Sequence, residues 1–474
     1  MAKLTKKQLE ELNEKLTLPK KAVWAKATAK ERKEIFALAE RYKDFLDNAK
    51  TERLAVETIR AMAEKKGFKD IKSKAAGSKF YVVFQNKAIA LGVLGRQKPS
   101  QGFRLIGAHI DAPRLDLKMH PLFENLELAF LKTHYYGGIK KYQWFARPLA
   151  IHGVVCTAEG KTVVIDWGEK PDDPVFTVLD LLPHLSRKVQ GEKKLNEAFE
   201  AERMNVLLAG LPLEAEEGGD LVKLAVLQYL DKKHGLKEAD LISAELEIVP
   251  AGPARDVGLD RALVGAYGQD DRASAFCGVE AILNVSNPAK SCLGLFVDKE
   301  EIGSEGSTSA SSRFLEMVAA QLMEKAKEKP GYLSVGQALA RSKALSADVN
   351  GALDPDYPEV HEKNNAAFMG YGVTLTKYTG HGGKYGASDA NAEYVAWLRK
   401  AWDDAGVTWQ AAGMGRVDEG GGGTIAKLLA IYGMEIVDVG PALLSMHSPF
   451  EISHKADIWS TCQAFAAFLA APEG

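Results

Sequence analysis

The hydrophobic pattern changes period along the chain. Residues 5–66 are rich in Lys, Glu, Ala and Leu, and their apolar positions fall three and four apart, which predicts two or three amphipathic helices. The spacing is regular over residues 29–42, where Thr28 and Glu31 form a capping-box pattern at the start. From residue 79 to 110 shorter runs take over: Phe80-Tyr81-Val82-Val83-Phe84, then 88–94, then 103–109, each the length of a strand. Residues 114–251 contain further short runs, 150–156 and 162–166 among them, separated by turn residues, while 193–219 read as loop plus helix. From Val264 onward strands and helices alternate. The order predicts an α/β fold with a central mixed sheet flanked by helices. Its catalytic domain comes from residues 1–113 and 252–474, and a β-rich domain, 114–251, is inserted between the halves.

Several predicted strands end in residues that carry chemistry. The run Cys292-Leu293-Gly294-Leu295-Phe296-Val297 closes on Asp298-Lys299-Glu300-Glu301-Ile302-Gly303-Ser304. Two adjacent carboxylates repel unless a divalent cation holds one and leaves its neighbour free as a general base. Taken alone, the pair fits a solvated acidic turn better. Other strand ends add to it. The run 104–109 delivers His109 and then Asp111, which in the extended chain before Pro113 could orient the imidazole or its surroundings. Asp270-Asp271-Arg272 precede a predicted helix over 273–283; one acid could bridge two cations, while the other, or Arg272, caps the helix or pairs locally. A short strand beginning at Lys343 ends in Asp348, and residues 437–449 bring His447 to a loop. Two His, three candidate ligand carboxylates and a spare Glu suit two borderline or harder cations, such as zinc, cobalt or manganese, sharing a carboxylate. Open α/β sheets place their sites at the carboxyl ends of strands, where these residues fall.

Composition fits a soluble enzyme. A chain of 474 residues predicts two or three domains. The net charge of −2, with both signs mixed, gives no reason to propose nucleic acid or a membrane as partner. The four cysteines contain no CxxC pattern and read as small core residues in a reducing compartment. The first residues lack an apolar signal core and no stretch reaches transmembrane length, so a cytoplasmic protein is expected.

The segments Gly107-Ala108-His109-Ile110-Asp111-Ala112-Pro113, Asp270-Asp271-Arg272, Asp298-Lys299-Glu300-Glu301-Ile302-Gly303-Ser304, Ser346-Ala347-Asp348 and Met446-His447-Ser448, in that order, resemble those of the aspartyl aminopeptidase and vacuolar aminopeptidase I family of zinc-dependent metallo-aminopeptidases. Related features run from about residue 30 to 470. The resemblance implies a two-metal exopeptidase acting on peptides with a free N-terminus. Its catalytic domain would be phosphorylase/hydrolase-like, its inserted domain β-barrel-like and dimerising, and its assembly a tetrahedral homododecamer. Carried over by position, it implies that His109 binds one zinc ion, His447 the other, and Asp270 both. Glu301 and Asp348 would complete the two shells, Glu300 would be the general base, and Asp111 would orient His109.

The resemblance also assigns roles outside the metal segments. His184, in Leu181-Leu182-Pro183-His184-Leu185, would enter a neighbouring subunit's site; the plain alternative is a helix-start His on a surface. Gly380-His381-Gly382-Gly383-Lys384-Tyr385-Gly386-Ala387-Ser388 resembles the substrate-side loop, where Lys384 and His381 are candidate substrate-binding residues. Glu419-Gly420-Gly421-Gly422-Gly423-Thr424 lacks the Lys-Ser/Thr of a phosphate-binding loop, so nucleotide binding is rejected. Ala146 stands where the family usually has Asp, and Asp389 follows the substrate loop; both put a strict preference for acidic N-terminal residues in question, and a broader or neutral preference stands beside it. Two rivals remain open: a catalytically silent, metal-stabilised scaffold, and a hydrolase of another amide on the same centre.

Overall fold

The computed structural model describes residues 4–18, 20–216 and 218–473. Among them the N-terminal apolar spacing becomes four helices, Lys6–Leu16, Val23–Lys26, Ala29–Asn48 and Glu52–Lys65, one beyond the predicted range. The third starts where its capping box places it. Thr28 Oγ1 accepts from the Glu31 amide at 3.2 Å, and the Glu31 carboxylate accepts from the Thr28 amide at 2.7 Å. Its buried face is Ile35, Leu38, Ala39, Tyr42, Phe45 and Leu46.

The largest sheet has nine strands, in the order Lys69–Asp70, Lys79–Phe84, Ala88–Val93, Cys292–Val297, Arg104–His109, Lys343–Ala347, Glu435–Gly440, Val373–Thr376 and Trp409–Ala411. Its central four strands run parallel to one another. Both faces of that centre are covered, which is why Cys292–Val297 and Arg104–His109 are buried along their whole length and read as unbroken runs. Ile106, Ala108 and Phe296 join the core under Ala29–Asn48, Gln269–Leu283 and Lys455–Ala470. Leu105, Leu293 and Leu295 face Phe314–Lys325, Tyr332–Ala340 and Ala426–Leu429 on the other side. Register aligns Val297 with His109 and Ser346 with Gly107, so three parallel strands end at one edge.

A second, seven-stranded sheet runs Thr162–Trp167, Leu149–Cys156, Ala244–Pro250, Arg114–Asn125, Leu128–Tyr136, Val206–Ala209, Thr177–Val178. Leu149 and Phe176 exchange backbone hydrogen bonds of 2.8 and 2.9 Å, tying the last strand back to the second. The sheet has its own apolar core, drawn from residues between Ala112 and Tyr267. Leu221–His234 packs on it; the segment 193–219, read as loop plus helix, holds the short helix Leu195–Ala198, and this longer helix beyond it was not predicted. Leu221, Val222, Leu224, Ala225, Val226 and Leu227 are too continuous to mark one helical face, so the period was hidden.

A third sheet, not expected from sequence, has five strands: Arg255–Val257, Leu263–Ala266, Glu451–His454, Ala442–Leu444 and Asn350–Gly351. It joins residues nearly 200 positions apart and pairs Ala266 with Glu451. Among the described residues no helix is long and apolar enough to cross a membrane.

Candidate metal centre

Parallel register carries four of the predicted residues, on three strands, to one edge. His109 is the last residue of its strand, Glu300 and Glu301 follow Val297 after a two-residue turn, and Asp348 follows Ala347 directly. The five-stranded sheet supplies the rest. Asp270 comes shortly after Leu263–Ala266, and His447 lies in the loop between Ala442–Leu444 and Glu451–His454. Asp270 and Asp271 lie at the head of Gln269–Leu283 but have non-helical dihedrals, so the regular helix begins after them.

Two triads with a shared member result. Donor atoms of His109, Asp270 and Asp348 lie within 4.8 Å of one another, as do those of Asp270, Glu301 and His447. The Asp270 carboxylate faces both imidazoles, Oδ1 at 3.2 Å from His109 Nε2 and Oδ2 at 3.2 Å from His447 Nε2. His447 Nε2 is also 3.5 Å from Glu301 Oε2. Each imidazole presents one nitrogen to the cluster and has the other held from behind: His109 Nδ1 lies 3.1 Å from the Asp111 carbonyl and 3.3 Å from Asp111 Oδ1, and His447 Nδ1 lies 2.8 Å from the Gly138 carbonyl. Ligand histidines are oriented in this way.

The electrostatics are those of a donor set assembled for cations. Burial, with repulsion from Asp270, pushes Glu301 well above the usual carboxylate range, and burial with Asp271 and Asp270 does the same to Asp348. Burial opposes a charged His447, but Asp270 and Glu301 outweigh it and push its pKa up to about 10. Buried Glu301 Oε1 has no hydrogen-bond partner, as expected of an atom whose partner is a cation. Both oxygens of buried Asp271 are likewise unpartnered. The residues present therefore fit a pair of divalent ions sharing one carboxylate.

Glu300 belongs to neither triad, yet it lines the same cleft of about 390 Å³, together with Asp348, Gly421, Gly422, Thr424 and Met446. Burial is the chief cause of its raised pKa. Gly421 has φ +117°, and a Cβ there would fall 1.8 Å from the Gly380 carbonyl oxygen, so the glycine-rich segment can pass between cleft and substrate-side loop only as glycine. Lys384 and His381 line an adjoining cleft with Arg416 and Glu362. His184 is not brought to the cluster: it is exposed on Pro183–Ser186 and lines neither cleft.

Residues 45–469 match the family model described as Aminopeptidase I zinc metalloprotease (M18). This chain belongs to the M18 aminopeptidase family. It is 47% identical over 456 residues to a probable M18 family aminopeptidase 1 of Clostridium acetobutylicum, covering 95% of this chain and 98% of the relative. The crystal structure of an M18 family aminopeptidase from Thermotoga maritima superposes with a TM-score of 0.92 at 43% identity, covering 96% of this chain and all of the other. The mApe1 dodecamer of S. cerevesiae shares the fold, with a TM-score of 0.72 at 23% identity, over 91% of this chain and 96% of the other. The protein is thus a zinc-dependent aminopeptidase of mixed α/β fold, which leaves the silent-scaffold reading without support.

Sequence reasoning passed over one residue that this M18 aminopeptidase builds its centre around. Glu451 is buried; its Oε1 accepts from the His447 amide at 2.7 Å, and its Oε2 accepts from the Gln269 and Asp270 amides at 2.5 and 3.2 Å. One carboxylate thereby fixes the backbone of two candidate ligands that lie far apart in the sequence. The sequence signal was slight: an acid four residues after a candidate ligand His, at the head of a short strand.

Proposed function

We propose that this M18 aminopeptidase removes N-terminal residues by a two-metal mechanism with Glu300 as its general base. The observation that carries the reading is the Asp270 carboxylate shared by two triads with Glu300 left outside both. In this reading His109, Asp270 and Asp348 hold one ion and Asp270, Glu301 and His447 the other. Zinc is the family's metal, and the same oxygen and nitrogen donors suit cobalt or manganese. Bound there, the ions acidify water, polarise the scissile carbonyl and stabilise the developing oxyanion. Glu300 accepts the water's proton on its carboxylate and returns it to the leaving amine. Asp111 sets the position of that carboxylate by accepting from the Glu300 amide at 3.2 Å. Carboxylates beside the cluster attract the substrate's free α-ammonium group, which confines the enzyme to chain ends.

The adjoining cleft sets the side-chain preference. Lys384 Nζ is 2.7 Å from Asp389 Oδ2 and sits 3.8 Å over the Tyr378 ring, so its charge is already answered within the loop. We therefore favour neutral N-terminal residues over a strict acidic preference, with His381 lining the same cleft. Metal-reconstituted enzyme is expected to hydrolyse leucyl-anilide faster than aspartyl- or lysyl-anilide and to leave N-acetylated anilides intact. Strict aspartyl preference would overturn the specificity reading; turnover of acetylated substrates alone would favour another amide as the target.

The catalytic part, 1–113 with 252–474, is read as phosphorylase/hydrolase-like, and 114–251 as an inserted, β-barrel-like dimerisation domain of a cytoplasmic, tetrahedral homododecamer. Four free thiols, three of them buried, suit a reducing compartment. Exposed Leu181, Leu182 and Leu185 flank His184 and suit burial against another subunit, which would carry His184 to the neighbour's cleft. A His184→Ala enzyme should assemble normally yet lose roughly 10–100-fold in kcat, as a lost supporting contact in a metal site does. Mixed assembly with Glu300→Gln subunits should restore part of the activity. Full turnover by assembled His184→Ala would remove the role.

A further inference from the structure

We infer that Tyr136, Gly137 and Gly138 form a positioning clamp on the metal centre, so that the end of a strand in the seven-stranded sheet sets the geometry of both triads. The inference rests on the two-metal reading above and adds to it residues from outside the ligand segments.

Three consecutive residues make three different contacts. The Tyr136 hydroxyl donates to Asp111 Oδ2 at 2.8 Å. A Cβ on Gly137 would lie 3.3 Å from both Cβ and Oε2 of Glu301, so the chain passes hard against that ligand. The Gly138 carbonyl lies 2.8 Å from His447 Nδ1, and a Cβ on Gly138 would lie 3.3 Å from that same nitrogen. Asp111 relays the first contact further. Its Oδ1 lies 3.3 Å from His109 Nδ1 and accepts from the Glu300 amide at 3.2 Å, while its Oδ2 accepts from the Glu301 amide at 3.2 Å. Tyr136 thereby fixes the carboxylate that aligns one candidate ligand of each triad together with the proposed base.

The clamp is itself anchored. Tyr136 ends the strand Leu128–Tyr136 and pairs with Arg114, whose guanidinium lies 3.8 Å above the Tyr136 ring. Arg114 is buried and held by Asp116 at 2.8 Å, Glu247 at 3.1 Å and Glu52 at 3.5 Å. Two of these acids lie on the strands Arg114–Asn125 and Ala244–Pro250 of the same sheet, and Glu52 begins the helix Glu52–Lys65. The seven-stranded sheet is thus locked to the main body at the point where it touches the centre. Any displacement of that sheet is transmitted to Asp111 and His447 together.

Two variants test this by cobalt(II) titration and steady-state kinetics of the full-length protein. Tyr136→Phe keeps the ring and its Arg114 partner and deletes only the hydroxyl. It should bind both cobalt ions, keep KM and lose about 10–100-fold in kcat, the cost of removing an outer partner in a metal site. Gly138→Ala should weaken one cobalt ion about 10–100-fold, alter its visible absorption and leave the other ion in place. Wild-type kcat in Tyr136→Phe, or two cobalt ions of wild-type affinity and spectrum in Gly138→Ala, would overturn the clamp. A wild-type protein that takes up fewer than two cobalt ions would overturn the two-metal reading and the clamp with it.

Discussion

Asp270→Ala is expected to abolish binding of both divalent ions at once, whereas His109→Ala and His447→Ala should each weaken one ion first. The asymmetry follows from the carboxylate geometry. Asp270 turns one oxygen to each imidazole at 3.2 Å, and it is the only residue common to the two triads found among the described residues. Losing an outer partner costs roughly 10–100-fold in metal affinity, and losing a direct, shared ligand should exceed the upper end of that range at both positions. The protein should remain folded. Glu451 holds the Gln269, Asp270 and His447 amides through the backbone, which the substitution leaves in place. Metal content after desalting, beside a thermal melt, checks the prediction; an Asp270→Ala protein that still carries one tightly bound ion would show that the two positions are independent.

Glu300→Gln should lower kcat by about 10²–10⁴-fold, the range a positioned general base supplies, with KM and metal content close to wild type. Gln matches the shape of Glu and keeps the amide that Asp111 accepts from, but it cannot take up a proton at neutral pH. Loss of an ion along with activity would make Glu300 a ligand instead of a base. Unchanged kcat would make it a bystander. The neighbouring Glu301→Gln should behave differently and weaken the ion shared with His447, since Glu301 belongs to that triad. Comparing the two adjacent substitutions separates proton transfer from ligation within one turn.

Much of the fold was legible because the central strands are buried on both faces. Cys292–Val297 and Arg104–His109 stand out as apolar runs for that reason, and their closing residues could be read as the ends of parallel strands. The capping box at Thr28 was equally local, a three-residue pattern that fixes one helix start. The convergence of His109, Asp270, Glu301, Asp348 and His447 was readable because each closes or follows an element whose pattern is visible alone.

What escaped the sequence is what depends on partners far along the chain. Glu451 means nothing until Ala266 pairs with it, and Tyr136 means nothing until its hydroxyl meets Asp111. Arg272, like the second acid of its segment, was a candidate to cap the helix or pair locally. It instead donates to the carbonyls of Lys50 at 2.7 Å and Ile110 at 3.3 Å, a junction no local pattern encodes. Leu221–His234 was missed for the opposite reason: its apolar residues are so continuous that no face is marked.

The five-stranded sheet also sets when during synthesis the centre can exist. Its strands Leu263–Ala266 and Glu451–His454 must pair before Glu451 can hold Asp270 and His447. A nascent chain that has emerged through Asp348 already carries His109, Asp270, Glu300 and Glu301, yet it lacks His447 and the strand that braces it. Chains emerge from the N-terminus, so the triad of Asp270, Glu301 and His447 can assemble only once nearly all of the polypeptide has been made.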